Sequence, residues 1–240
     1  MQMRLLQLTL DSPAANLALD EALLERAENE EGQECLRLWE PESAFVVLGR
    51  SSPYLREVNL DFCSANDIPI LRRSSGGATI VTGPGCLMYA VVLDLRLRPG
   101  LALVDRAHDF VLSRISSGLA RLGIESEISG TSDLTCQGQK FSGNSLRCRR
   151  NAIVYHGTLL HGMSIEFIER CLHRPIRQPD YRQDRSHRDF LRGLPVERQA
   201  LEKALTAEWQ CNEPDLDPPL EMCHDLVQQK YSQAAWTQKV

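Results

Sequence analysis

The chain has no excess of basic charge, no long apolar run and no paired-cysteine motif. It carries 27 Lys and Arg residues against 32 Asp and Glu residues, a formal net charge of -5 at pH 7. Nonspecific nucleic-acid binding needs a strong basic excess, so we expect no nucleic-acid partner. No apolar segment approaches the length of a membrane span, and no apolar leader opens the sequence. We therefore expect no membrane association and a cytoplasmic location.

The eight cysteines form no Cys-x-x-Cys pair, which argues against a disulfide framework. Cys148, His156 and His161 are candidate metal ligands, as are the neighbours Cys223 and His224. Neither group has the spacing of a known zinc site, and alternation along a strand explains the first group equally well. We therefore expect free thiols and assign no protein side chain to a metal.

Helical and strand-like segments alternate along the chain. With 240 residues and 42% hydrophobic content, the chain can bury one large core. Apolar spacing predicts helices at residues 14–27, 59–66, 102–122, 165–172, 196–210 and 221–231. Strand patterns occur at residues 3–10, 35–39, 44–49, 68–73, 78–82, 87–94, 124–128, 133–136, 140–148 and 152–160. Turns at 137–138 and 150–151 make the last three strands an antiparallel meander. The predicted fold class is α/β (α+β), with a mostly antiparallel or mixed central sheet flanked by helices.

Two segments about seventy residues apart carry groups suited to binding an activated carboxylate. The first reads Arg-Arg-Ser-Ser-Gly-Gly over residues 72–77 and follows a predicted strand. Glycines allow close backbone approach and leave amides free to donate to anionic oxygens, while guanidinium groups bind carboxylates and phosphates. On its own, such a segment is more typical of a strand that ends in a tight turn.

The second segment reads Lys-Phe-Ser-Gly-Asn over residues 140–144 and leads into a strand that reads His-Gly-Thr-Leu-Leu over residues 156–160. A lone lysine after a glycine turn is usually a hairpin residue, and a lone strand histidine usually belongs to the core. Together with arginines and bare amides, however, an ammonium group can hold an acyl carbonyl beside a phosphate. The two segments therefore indicate acyl transfer through an acyl-adenylate.

The order and spacing of these motifs resemble the lipoate-protein ligases, within the biotin and lipoate ligase and octanoyltransferase superfamily. The family's two arginines with a glycine-rich turn, its Lys-x-Ser-Gly-x-Ala-like segment and its His-Gly-Thr-Leu-Leu strand match residues 72–77, 140–145 and 156–160. Residues 16–22 and 47–50 are also similar to the family. The resemblance covers about residues 5–172, and several motifs in the same order are far more specific than one alone.

This resemblance implies a lipoate ligase-like catalytic domain at residues 1–195, with residues 196–240 as a short helical extension packed on it in place of a large accessory domain. It implies an enzyme that activates lipoate or octanoate with ATP and Mg²⁺ to acyl-AMP and transfers the acyl group to a lysine of an acceptor lipoyl-domain protein. Lys140 would be catalytic and contact both the acyl carbonyl and the phosphate. The residues implied to bind the substrate or acyl-adenylate are Arg50, Arg72, Ser75, Gly76, Gly77, Ala78, Asp133, Ser142, Gly143, Asn144, His156, Gly157 and Thr158.

The chain departs from the family pattern at two places. Ala78 stands where many members have a third glycine, and residues 82–86 read Thr-Gly-Pro-Gly-Cys in place of a His-Asp-x-Gly-Asn stretch. Nucleotide contacts from that loop are therefore left open. The chain is also shorter than the larger ligases. Three alternatives follow for the activation of the acid by ATP. It proceeds without the accessory domain, it uses a separate accessory subunit, or it is lost and only acyl transfer remains.

The main alternative is an octanoyl or lipoyl transferase that uses a cysteine thioester without ATP. Cys171 lies near the position where one transferase class has its nucleophile, but its neighbours lack the Pro-Cys-Gly turn that presents such a thiol. Cys136 is the second candidate, although strand alternation can bury it. Biotin ligase and a noncatalytic binding subunit are further alternatives. The sequence favours the ATP-dependent ligase and leaves the acyl chain, the acceptor and the oligomeric state open.

Overall fold

The computed structural model describes residues 3–175 and 177–239. Its strands are β1 (Arg4–Gln7), β2 (Cys35–Trp39), β3 (Phe45–Leu48), β4 (Ile70–Arg72), β5 (Ile80–Thr82), β6 (Cys86–Asp94), β7 (Glu127–Ser129), β8 (Asp133–Cys136), β9 (Gln139–Cys148), β10 (Ala152–Leu160) and β11 (Glu213–Pro214). Its α-helices are α1 (Pro13–Asn29), α2 (Tyr54–Glu57), α3 (Leu60–Ala65), α4 (Val104–Ala120), α5 (Ile165–Cys171), α6 (His187–Phe190), α7 (Arg198–Glu208), α8 (Leu220–Leu226) and α9 (Ala234–Thr237).

The strands form a large mixed sheet and a small one. The large sheet has the order β11-β1-β2-β6-β10-β9-β8-β7, and the small sheet has the order β4-β3-β5. Strand β1 runs parallel to both β11 and β2. Along the rest of the sheet, in the order β2-β6-β10-β9-β8-β7, each strand is antiparallel to the next. The predicted fold class, a mixed sheet flanked by helices, is therefore confirmed, including the meander through β8, β9 and β10.

Strand β6 is buried on both faces and shows how the core divides. Because successive side chains of a strand point to opposite faces, Met88, Ala90 and Val92 pack on one side of the sheet with α1, the small sheet and α5. Tyr89 and Val91 pack on the other side with α4 and α7. The large sheet is thus covered by two hydrophobic layers. The first layer also borders the site described below.

Local sequence signals explain several element boundaries. Ser12 accepts a hydrogen bond from the Ala15 amide, and Pro13 opens α1, as a capping residue and a first-turn proline do. The turn between β8 and β9 places Gln137 at φ 53° and Gly138 at φ 73°, the double left-handed geometry of a two-residue hairpin. The sequence therefore specified both the start of α1 and the hairpin that leads into Lys140.

The C-terminal part returns to the sheet. Helix α7 packs on α4, α8 packs on α1, and β11 extends the sheet beside β1. The two-residue strand β11 was not predicted, since so short a segment carries no periodicity. The division of the chain at residue 195 stays a prediction. Across residues 3–175 and 177–239, no helix combines the length and apolar character required to span a membrane.

Candidate functional site

A cavity of about 410 Å³ lies between the large sheet, the small sheet and α1. Buried apolar side chains form part of its wall, namely Leu17, Val47, Val81, Met88, Leu160 and Ile168. Charged and polar groups complete the wall and include Lys140 and Arg73. The cavity therefore offers an apolar surface and several cations to the same small molecule.

Ten of the residues implied by the family resemblance line this cavity: Lys140, Gly77, Ala78, Asp133, Ser142, Gly143, Asn144, His156, Gly157 and Thr158. The two segments that are far apart in sequence meet because β9 and β10 are neighbours in the large sheet and both face the turn that follows β4. Ser145 of β9 fixes this approach by donating from its hydroxyl to the Gly76 carbonyl at 3.0 Å. The individual binding roles of these residues remain predictions.

Lys140 is held at the start of β9 by an ion pair with Asp133. Its Nζ lies 2.8 Å from Asp133 Oδ1, and the lysine side chain is 22% exposed. The Tyr181 hydroxyl donates to the other Asp133 oxygen at 2.7 Å. A Cβ on Gly143 would lie 2.8 Å from Lys140 Nζ, so glycine at this position leaves room for the ammonium group. The ammonium therefore reaches the cavity with one carboxylate beside it.

Asn144 crosses from β9 over Gly157 of β10. Its Oδ1 accepts from the Tyr89 hydroxyl at 2.5 Å, and its Nδ2 donates to the Ser132 carbonyl at 2.7 Å. A Cβ on Gly157 would lie only 1.7 Å from Asn144 Oδ1. Only glycine therefore permits this crossing. Because Tyr89 is fully buried, burial is the main cause that raises the pKa of its hydroxyl, which stays a neutral hydrogen-bond donor.

The neighbouring Gly143 amide donates to the Thr158 hydroxyl at 3.2 Å. This contact links β9 to β10 on the cavity side, where both residues line the wall. Ser142 is also fixed, because its hydroxyl exchanges hydrogen bonds with the Asn144 amide group at 3.1 and 3.3 Å. The polar groups of this wall are thus held by each other before any ligand is present.

The structure does not place Arg72 at the cavity, contrary to expectation. The Arg72 guanidinium is fully buried and donates to backbone carbonyls, including those of Gly49 at 2.7 Å, Ser52 at 2.8 Å and Thr237 at 2.8 Å. Arg73, one residue later, lines the cavity instead. Consecutive residues at a strand end point to opposite sides, so only one arginine of the pair can face the site. Arg72 ties the C-terminal segment to the loop after β3.

Arg73 supports the turn that surrounds it. Its guanidinium donates to the Ala78 carbonyl at 3.0 Å and to the Ser75 hydroxyl at 3.1 Å. Burial lowers the pKa of Arg73 to about 10, which still leaves it charged at neutral pH. Gly77 has φ 86°, a left-handed conformation that favours glycine. The turn is therefore a cationic, amide-rich bend with a fixed backbone.

Three other predicted residues lie outside the cavity wall: Arg50, Ser75 and Gly76. Arg50 is exposed, and its amide donates to the Ser75 carbonyl at 2.8 Å. Ser75 is 2% exposed, and its hydroxyl lies 2.5 Å from His156 Nε2. The expectation that these residues border the pocket is thus corrected, because the turn presents Gly77 and Ala78 inward and directs Ser75 toward β10.

Sequence reasoning missed the segment that covers Lys140. The Leu191 backbone pairs with Lys140, and the Arg192 amide donates to the Lys140 carbonyl at 3.0 Å. Ahead of this contact, Arg182 and His187 line the cavity. Burial, followed by the charge of Arg182, lowers the pKa of His187 to about 4, so this imidazole is neutral. The Pro/Arg-rich composition of residues 173–192 was the available signal.

The whole architecture agrees with a known family. A family model described as the Lipoyl protein ligase A/B catalytic domain matches residues 12–200. The chain belongs to this family. Over 157 residues it is 37% identical to an Aeropyrum pernix protein provisionally named lipoate-protein ligase A, covering 65% of this chain and 56% of that protein. The chain spans about half the length of the curated relatives it matches.

Two solved structures share the fold of this family member. One is a chain from the structure of the bi-partite lipoate protein ligase and its E2 lipoyl domain from Thermoplasma acidophilum, with a TM-score of 0.84, 20% identity, and coverage of 99% of this chain and 96% of that one. The other is lipoate-protein ligase A bound with ATP, with a TM-score of 0.82, 20% identity, and coverage of 99% of both chains. These matches confirm the predicted fold.

The cysteines that a lipoyl transferase would need are poorly placed. Cys171 is fully buried, and burial together with the neighbouring Cys63 thiol raises its pKa to about 12. Cys136 is half-buried, and neither Cys171 nor Cys136 lines the cavity in the part of the chain that the structure describes. A buried neutral thiol is a poor nucleophile because the reactive form is the thiolate.

The described residues contain no cluster of three or more His, Cys, Asp or Glu side chains that would hold a metal by themselves. Mg²⁺ does not require such a cluster, because it is often bound by one or two carboxylates together with substrate phosphates. Asp133 supplies a carboxylate on the cavity wall beside Lys140. The donor set therefore fits Mg²⁺ carried in with a nucleotide.

Proposed function

We propose that this chain is an ATP-dependent lipoate-protein ligase that forms an acyl-adenylate of lipoate or octanoate and transfers the acyl group to a lysine of a lipoyl-domain protein. The observation that supports it most directly is the shared cavity, where the Lys140 ammonium and the Arg73 turn meet an apolar wall. A carboxylic acid with a long apolar chain needs both surfaces. Membership of the lipoyl ligase family and the likeness to an ATP-bound ligase support the same assignment.

In the first step, a carboxylate oxygen of the fatty acid attacks the α-phosphorus of ATP. A bond forms between that oxygen and phosphorus, and the bond to the pyrophosphate oxygen breaks, so that pyrophosphate leaves. Two anions must approach each other, and the cations at Lys140 and Arg73 offset their repulsion. Mg²⁺ supplies further charge neutralisation when it enters with the nucleotide, with Asp133 as the carboxylate that can hold it.

In the second step, the neutral amine of the acceptor lysine attacks the acyl carbonyl. An amide bond forms, the bond between the acyl carbon and the phosphate oxygen breaks, and AMP leaves, while the proton that the amine loses passes to solvent. Negative charge develops on the carbonyl oxygen, where a preorganised ammonium is most effective. Lys140 has this role because the ion pair with Asp133 and the space above Gly143 fix its position. Lys140 acts by charge and forms no covalent bond to the acyl group.

The acceptor and the number of subunits follow from the same proposal. A fold neighbour is described together with its E2 lipoyl domain, and the ligase of that system is bi-partite. We therefore propose a lipoyl-domain acceptor for this chain. We also propose that a second polypeptide takes part in activation if the chain by itself transfers the acyl group from lipoyl-AMP but does not make lipoyl-AMP.

The test mixes the purified protein and an apo lipoyl domain with one of three acyl donors, and follows the mass of the lipoyl domain by mass spectrometry. The donors are lipoate with ATP and Mg²⁺, chemically made lipoyl-AMP, and an octanoyl carrier protein without ATP. Gain of one lipoyl group that requires ATP supports the ligase. Gain only from chemically made lipoyl-AMP supports transfer with activation elsewhere. Gain only from an octanoyl carrier protein without ATP supports the cysteine-dependent transferase instead. If none of these donors modifies the acceptor, the chain is a noncatalytic binding subunit and the proposal fails.

Lys140→Ala is the sharpest variant for this assay. We expect turnover to fall by about 10²- to 10³-fold, the effect of removing one preorganised charge stabiliser. Lys203→Ala is the matched control, because Lys203 is an exposed lysine on α7 away from the cavity. Near-normal turnover of Lys140→Ala alongside a normal control would remove Lys140 from the mechanism.

A further inference from the structure

A continuous chain of hydrogen bonds connects β2 with the cationic turn. Arg37 Nη1 donates to Asp20 Oδ1 at 2.6 Å, and the other oxygen, Asp20 Oδ2, lies 3.3 Å from His156 Nδ1. His156 Nε2 lies 2.5 Å from the Ser75 hydroxyl oxygen, which also accepts from Arg73 Nε at 3.1 Å. This hydrogen-bond network begins at the buried guanidinium of Arg37 and ends at the guanidinium of Arg73, which lines the cavity.

The buried carboxylate of Asp20 determines the direction of this chain. Asp20 is 4% exposed and is paired with the fully buried Arg37, so its oxygens act as acceptors. His156 then donates from Nδ1 to Asp20, which leaves Nε2 as an acceptor in the neutral ring. Ser75 donates its only hydroxyl hydrogen to Nε2, and its lone pairs remain for Arg73. Asp20 therefore acts on Arg73 through two intermediates.

The order Asp20, His156, Ser75 is also that of a nucleophilic triad, but the environment excludes that use. Ser75 is 2% exposed and does not line the cavity, so an acyl carbonyl cannot reach its hydroxyl. Its oxygen already accepts from Arg73, which makes it a weaker nucleophile. The network is thus suited to holding a side chain in place rather than to covalent catalysis.

We propose that Asp20 is a positioning residue that fixes the tautomer of His156 and thereby orients Ser75 and Arg73 before the substrate arrives. These side chains are already ordered in the folded protein before the substrate binds, because each donor in the hydrogen-bond network has its acceptor inside the protein. Asp20 belongs to α1, which lies against the large sheet, whereas Arg73 follows the small sheet. The relay therefore also joins the two sheets that enclose the cavity.

The effect on the reaction rests on the proposed ligase function, whereas the tautomer does not. In ¹⁵N-histidine-labelled wild-type protein we expect His156 to carry its hydrogen on Nδ1. In Asp20→Asn the side-chain amide can donate to Nδ1, so we expect the hydrogen on Nε2 instead. This nuclear magnetic resonance measurement needs no substrate. A wild-type ring with its hydrogen on Nε2 would overturn the proposal whether or not the chain is a ligase.

The kinetic arm measures ATP-dependent lipoylation of an apo lipoyl domain. For Asp20→Asn we expect the KM for lipoate to rise about tenfold, the factor that one hydrogen bond to a charged group supplies, with kcat changed less than threefold. Because Asp20 acts through Ser75, adding Asp20→Asn to Ser75→Ala should change KM by less than twofold. Independent, multiplying effects of the two substitutions would refute the relay.

Asp94→Asn is the matched control for loss of stability. Asp94 is a fully buried carboxylate that pairs with Arg96 and lies away from the cavity, so the same change in charge is made elsewhere. We expect its KM for lipoate to equal that of the wild type even where its unfolding temperature falls. An equal rise of KM in Asp94→Asn and Asp20→Asn would show that general destabilisation is the cause and would overturn the proposal.

Discussion

Replacing Gly157 by alanine tests the closest contact of the site. The added Cβ would lie 1.7 Å from Asn144 Oδ1 and 2.9 Å from a ring carbon of Tyr89. Both strands are paired along their length here, so the backbone cannot move aside without breaking the sheet. We expect the Asn144 side chain to leave its position.

The displacement removes the hydrogen bonds that Asn144 makes to Tyr89 and to the Ser132 carbonyl. Two lost bonds at about 1 kcal/mol each, with a further ~1 kcal/mol for a buried hydroxyl left without its partner, give a loss of roughly 3 kcal/mol in the free energy of unfolding. For a chain of this length, that loss lowers the midpoint of thermal unfolding by about 6–12 °C. Urea denaturation and calorimetry measure both quantities.

Gly100→Ala is the control for the glycine substitution itself. The nearest atom to a Cβ at position 100 is 3.6 Å away, on a flexible arginine, so we expect a change below about 0.5 kcal/mol. The variants should also differ in function, because Asn144 lines the cavity and Gly100 does not. A Gly157→Ala protein as stable as the Gly100→Ala protein would refute the close packing of β9 on β10.

Three further changes test other parts of the structure. Arg72→Lys should lower the free energy of unfolding by at least about 3 kcal/mol, as two charge-assisted hydrogen bonds to buried carbonyls are lost, measured by urea denaturation. Burial alone would raise the pKa of Glu40, but hydrogen bonds from His161 and the Gly85 amide hold it below the ordinary 4.5. Its contribution to stability is therefore complete above pH 4.5 and is lost as the pH falls through the lowered folded pKa, so Glu40→Gln should flatten the fall of stability in acid titrations. Cys171→Ala should leave acyl transfer per folded molecule within about twofold, because the thiol is buried outside the cavity; abolished transfer would restore the cysteine-dependent mechanism.

Much of the site could be predicted because its residues are close in sequence or paired in a meander. The turn at residues 150–151 has a local signal and joins β9 to β10 in the register that brings Asn144 opposite Gly157. The hairpin at Gln137 and Gly138 also has a local signal, and it sets the register of β8 against β9. The placement of Lys140 beside Asp133 follows from the same hairpin. Strand alternation and short turns therefore predicted the arrangement of β8, β9 and β10, a segment of about thirty residues.

The choice between Arg72 and Arg73 could not be made from the sequence. Adjacent residues at a strand end point to opposite sides, and either arginine can face a ligand until the packing of the strand is known. In the structure, the Thr237 and Lys239 carbonyls of the C-terminal segment accept hydrogen bonds from Arg72. That segment is more than 160 residues away in the chain.

The amino-acid sequence by itself determined the order of the longer helices and strands, the hairpin before Lys140 and the motifs of the lipoyl ligase family, because each depends on neighbouring residues or on a short repeat. Tertiary structure alone decided which arginine lines the cavity, which segment covers Lys140 and how Asp20 reaches the turn through His156. These contacts join residues far apart in the chain. Their geometry arises only when both sheets and α1 pack together, since hydrogen bonds between distant side chains have no local signal in the sequence.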